Sequence, residues 1–119
     1  MTWTDALKAC QATRPSSNLA SIQDKSTNDF LTRMTGGKEH TWIGGYQGVN
    51  DKWFWSDGSK WTGYTNWGPG EPSNSGSGED HIGLNRHGAG TWNDFKDQHD
   101  PHKQGFLCQY DPNLGIIKH

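Results

Sequence analysis

The sequence predicts one α+β domain, and three observations predict it. Apolar residues recur at helical spacing near the start of the chain. The period becomes that of strands from Thr41 onward. A long irregular stretch rich in glycine, serine, asparagine and proline then separates the early strands from the late ones. A chain of 119 residues suits a single domain over 1–119. Only 29% of residues are hydrophobic, yet seven are tryptophan and sixteen glycine. That combination implies a core of a few large rings wrapped by punctuated loops, since disordered chains are poor in aromatics. The formal charge of -2 gives no electrostatic case for nucleic acid or an acidic membrane surface. No apolar run is long enough for membrane insertion.

The elements are taken in chain order. Trp3, Ala6, Leu7 and Cys10 share one helical face, so residues 4–12 are expected to be an amphipathic helix capped by Thr2 or Thr4. Arg14-Pro15-Ser16-Ser17 ends it. A second helix is expected from Ser26, with Asp29 three residues on, burying Phe30, Leu31 and Met34 and stopping at Gly36-Gly37. Strands are expected at Thr41–Gly45 and Lys52–Ser56, with Asp57-Gly58 as a hairpin turn signal. Residues 60–79 read as a long loop, which Trp61, Tyr64 and Trp67 mark as packed. Strands at about 80–85, 90–93 and 105–110 complete the sheet.

The chemistry concentrates between Glu71 and Asp94. Glu71, Ser73, Glu79, Asn93 and Asp94 are hard oxygen donors on two segments, separated by a short Ile82/Leu84 run that can be a strand. Ca2+ takes six to eight oxygen ligands with loose angular demands, whereas Mg2+ wants a strict octahedron and keeps its waters. Pro72 fixes the backbone between two donors and can take the cis form; Gly76 and Gly78 allow a tight wrap that returns Glu79 to the same place. Taken singly, Glu71-Pro72-Ser73 reads as a surface turn, and Trp92-Asn93-Asp94 as a core ring followed by an Asx turn. Their co-occurrence around Gly78-Glu79-Asp80 favours the ligand reading. Cys10 and Cys108 are open to two readings, a pair of buried thiols or a bridge.

Trp42-Ile43-Gly44, Trp53-Phe54-Trp55, Asp57-Gly58-Ser59, Asn66-Trp67, Glu71-Pro72-Ser73, Gly78-Glu79-Asp80 and Trp92-Asn93-Asp94 occur in the order and rough spacing of a C-type lectin domain. The resemblance runs from Trp3 to Tyr110. It implies the C-type lectin-like fold, with two helices flanking small antiparallel sheets and a long irregular ligand-binding loop region. It implies that Glu71, Ser73, Glu79, Asn93 and Asp94 form a Ca2+ site that binds sugar directly, each group serving metal and sugar at once. It pairs Cys10 with Cys108 as a disulfide, and so implies a secreted, extracellular setting. His81 stands where the family's second disulfide usually begins. The family's opening strand is missing, so the edge of the last strand is expected to be covered by the tail 111–119 or by a second subunit in a homo-oligomer. A secretion signal is expected outside this chain.

Selectivity departs from the family pattern. Glu-Pro-Asn accompanies mannose-type glycans and Gln-Pro-Asp galactose-type glycans, while here the third residue is Ser73, a shorter side chain with fewer donors. Glu71 keeps a slight lean to mannose. An auxiliary calcium site would draw on Asp51, Asn74, Glu79 and Asp80, with Gln47 where the family has aspartate. His99 and His102 suggest zinc only by proximity. Glu71 with Glu79 could be drawn as a glycosidase pair, but shared metal ligation competes with that, and no enzyme activity is expected. The alternative of a different class is a lectin-like module that binds a protein, ice or mineral surface.

Overall fold

In the computed structural model the described residues are 2–13, 17–48, 52–72, 80–96, 103–111 and 115–118. The expectations placed on Arg14-Pro15-Ser16, Asp51, Ser73, Asn74, Gly76, Gly78, Glu79, His99 and His102 lie outside them. The elements run α1 (Trp3–Thr13), β1 (Asn18–Leu19), α2 (Lys25–Met34), β2 (His40–Gln47), β3 (Trp53–Trp55), β4 (His81–Leu84), β5 (Trp92–Phe95), β6 (Lys103–Asp111) and β7 (Gly115–Lys118). The fold class is α+β with two helices, as expected, and the sheet is mixed where small antiparallel sheets were expected.

Helix α1 forms because Trp3, Ala6 and Cys10 put their side chains on one buried face. Thr2 is its cap: its hydroxyl accepts the Asp5 N–H at 3.0 Å, and its carbonyl accepts the Ala6 N–H at 3.0 Å. Helix α2 starts two residues earlier than expected. Asp24, not Ser26, is the cap, and its carboxylate accepts the Thr27 N–H at 2.8 Å. Asn28 and Leu31 face inward and Phe30 is 46% exposed, so the expected burial of Phe30 is corrected. Gly36 and Gly37, with φ of 72° and 73°, follow the Thr35 cap, and a glycine pair tolerates that left-handed exit.

The strand order is β1-β6-β2-β4-β5, with β3 added to β2 and β7 to β6. The pairings are antiparallel except β2 with β6, which run parallel with Trp42 opposite Phe106. The tail covers the edge of the last long strand, since β7 pairs with β6 through Cys108 opposite Ile117. Asp57-Gly58 does turn the chain, with the Gly58 N–H on the Trp55 carbonyl at 3.0 Å, but among the described residues no strand leaves it to pair with β3. The Asp57 carboxylate instead accepts the Ser21 hydroxyl at 2.8 Å and the Ser59 N–H at 2.8 Å, tying the start of the long loop to the segment after β1.

Side chains alternate across the sheet and build two clusters. Trp42 and Phe95 pack with Trp3, Ala6, Cys10, Leu19 and Cys108 beneath α1. Ile43, Trp55, Ile82, Leu84, Trp92 and Leu107 pack with α2 and the long loop. The Cys10–Cys108 disulfide pins α1 to β6 across 98 positions of sequence, and no other cysteine exists to pair. Where a second bridge would begin, the His81 ring packs 4.4 Å from Trp3.

Candidate functional site

Trp92 organises the region. It is fully buried on β5, and its indole N–H donates to the Asn28 side-chain oxygen at 2.7 Å. The rings of Trp61, Tyr64 and Trp67 meet it edge-on at 6.0, 5.9 and 5.7 Å. Burial, with the negative charge of Asp29 second, raises the Tyr64 phenol above its ordinary pKa and keeps this contact neutral. The long loop is also pinned by backbone. Trp92 N–H donates to the Asn66 carbonyl at 2.9 Å, and Gly68 N–H to the Trp92 carbonyl at 2.9 Å. The Asn66 and Asn28 amides both donate to the Gly90 carbonyl, at 2.7 and 3.0 Å. Gly90 has φ of 77°, and a Cβ there would meet the Thr32 hydroxyl at 2.7 Å, so glycine is needed on both grounds.

These bonds tie the loop that leads into Glu71 to Trp92, the residue before Asn93 and Asp94. Glu71 N–H closes a turn onto the Gly68 carbonyl at 3.0 Å, and its side chain is only 9% exposed. The Glu71-Pro72 peptide is cis. Asn93 and Asp94 are both buried, Asp94 completely. They sit opposite Gly83 and Ile82, so their side chains leave β5 on opposite faces. The Asn93 amide turns back along the strand, and its Nδ2 donates to the Asp94 carbonyl at 2.8 Å. Its Oδ1 is buried with no hydrogen-bond partner among the described residues. Unpartnered buried carbonyl oxygens are uncommon and cost about 1–3 kcal/mol. A hard cation satisfies such an oxygen. The donors present therefore fit a hard divalent metal.

Of the five expected ligands, Glu71, Asn93 and Asp94 are among the described residues, and Ser73 and Glu79 lie outside them. Among the described residues no three His, Cys, Asp or Glu side chains cluster as a metal site. Of the auxiliary set, Asp80 is described, and its carbonyl accepts the Gln47 N–H at 2.7 Å. Sequence reasoning missed His87. Its Nε2 lies 3.8 Å from Glu71 Oε1, from a turn with no motif to single it out among six histidines.

Two helices on a mixed sheet, with a long loop pinned to a strand that carries oxygen donors, define a lectin-like domain. Residues 1–110 match the family described as Lectin C-type domain, and the chain belongs to that family, a non-enzymatic carbohydrate-binding fold. It is 41% identical over 113 residues to a lectin of Pleurodeles waltl, covering 91% of this chain. The chain spans 63% of that relative's own length. Among solved structures it resembles the C-type lectin CEL-I from Cucumaria echinata, with a TM-score of 0.78 and 27% identity over 93% of this chain and 85% of that one. It also resembles herring type II antifreeze protein, with a TM-score of 0.72 and 30% identity over 83% of this chain and 76% of that one.

Proposed function

We propose that the chain is a calcium-dependent carbohydrate-binding module of the extracellular space, using Glu71, Ser73, Glu79, Asn93 and Asp94 as ligands shared between metal and sugar. The observation that carries this reading is the buried Asn93 Oδ1, which has no hydrogen-bond partner among the described residues. When bound, Ca2+ would supply a Lewis-acidic centre on which two neighbouring sugar hydroxyls replace water. Glu71 and Glu79 accept hydrogen bonds from those hydroxyls. One Asn93 N–H is engaged with the Asp94 carbonyl, and the other is left to donate to the sugar. Glu71 leans the choice to mannose-type glycans, with galactose-type close behind.

The affinity of one site is on the order of millimolar, because a shallow site makes few contacts, and useful avidity comes from multivalency, as in a homo-oligomer. The extracellular setting is supported by the Cys10–Cys108 disulfide, which persists in oxidising compartments. Binding to immobilised mannose and galactose, each with calcium and then with excess chelator, tests the reading. Chelator-sensitive retention is expected. N93A and D94A should each lose retention. Calcium uptake with no retention on either sugar would instead favour recognition of a solid or protein surface, the reading that the antifreeze relative supports.

A further inference from the structure

The turn joining β4 to β5 is built to hold one side chain at the mouth of the site. Asn85 takes a positive φ of 79° there, and its amide donates to the Thr35 hydroxyl at 2.9 Å and the Glu39 carbonyl at 2.8 Å. Its oxygen accepts the Gly90 N–H at 2.7 Å. The Thr91 hydroxyl and N–H both close onto the Gly88 carbonyl, at 2.9 and 3.2 Å. A turn tied at both ends fixes what it carries, and here it carries His87. The His87 side chain, 40% exposed, lies along the loop at Gly68, where a Cβ would meet the His87 Cβ at 3.2 Å. Its Nε2 stands 3.8 Å from Glu71 Oε1.

That separation is too long for a direct hydrogen bond, yet short enough for one oxygen placed about 2.8 Å from each to touch both. We propose that His87 is a specificity-determining residue, which with Glu71 clamps a single hydroxyl of a bound sugar. The inference rests on the carbohydrate-binding reading of the same site. The hydroxyl donates its proton to the Glu71 carboxylate and accepts the His87 Nε2–H, so both of its hydrogen-bonding roles are read at once. A glycoside that lacks this hydroxyl forfeits both hydrogen bonds at once, and is rejected more strongly than loss of one bond would explain.

The test is calorimetric titration of the calcium-loaded protein with methyl α-mannoside, methyl β-galactoside and their 3- and 4-deoxy analogues, for wild type, H87A and H87Q, together with calcium affinity alone. H87A is expected to weaken the preferred glycoside roughly three- to tenfold while calcium affinity stays within about twofold. H87Q, whose amide can donate, should recover most of the loss, and one deoxy analogue should bind wild type and H87A alike. Wild-type glycoside binding that H87A leaves unchanged overturns the clamp alone. An equal loss of calcium and sugar affinity in H87A also overturns it, by assigning His87 to holding Glu71. Calcium-loaded wild type that binds neither glycoside overturns the reading of the site, and the clamp with it.

Discussion

Asn28 uses both ends of its amide inside the protein, accepting from the Trp92 indole and donating to the Gly90 carbonyl. Asn28→Ala leaves the indole N–H buried without a partner, and the expected loss is about 1–3 kcal/mol. Urea unfolding should show it as a lower midpoint at unchanged slope. Because Asn66 also donates to Gly90, N66A should cost less, and the double variant should depart from additivity through their shared acceptor. At this scale the sequence was legible where chemistry clusters locally. Glu71, Asn93 and Asp94 stood out as oxygen donors in a patterned stretch. Asn28 and His87 were not legible, because their partners lie 64 and 16 positions away and no local pattern records such a meeting.

In helix α2 the cap and the buried face both differ from the sequence expectation. The expected face was Phe30, Leu31 and Met34; Asn28 and Leu31 are buried, and Met34 packs partly buried against the core. Asp24 and Ser26 can both cap, and propensity alone does not rank them. The Asp24 carboxylate is held below its ordinary pKa, chiefly by the backbone hydrogen bond from Thr27. A folded value below the unfolded one means that the cap stabilises the helix above 3.8 and loses that contribution as the pH falls through the folded value. Asp24→Ala should therefore lower the melting temperature at neutral pH, with the gap to wild type closing in strong acid. Thermal melts at both pH values check it. Among the strands, β2 to β6 were legible from aromatic and branched runs, with bounds off by a few residues. The turn at Asp57-Gly58 was read correctly as a turn and wrongly as a hairpin, because an Asp-Gly pair reports that the chain reverses and carries no information on whether the returning segment pairs.

At the scale of the whole molecule, the sheet order could not be read from the chain. The parallel pairing of β2 with β6 joins residues more than sixty positions apart, and nothing local encodes its register. The family resemblance supplied the Cys10–Cys108 bridge, and implied antiparallel sheets where β2 and β6 in fact run parallel. Closing a loop with ends 98 positions apart restrains the unfolded chain by roughly 4–5 kcal/mol on the chain-entropy model. The C10A/C108A double variant should accordingly melt well below wild type, by about ten degrees or more for a domain of this size, while scanning calorimetry of reduced wild type should match the variant.

The same bridge closes residues 10–108 into a covalent ring. The donors Glu71, Asn93 and Asp94, and the loop between them, all lie within the ring. A protease that cuts once anywhere between Cys10 and Cys108 opens the ring and releases nothing. The two pieces stay covalently joined, travel as one species on a denaturing gel, and part only when a reductant is added.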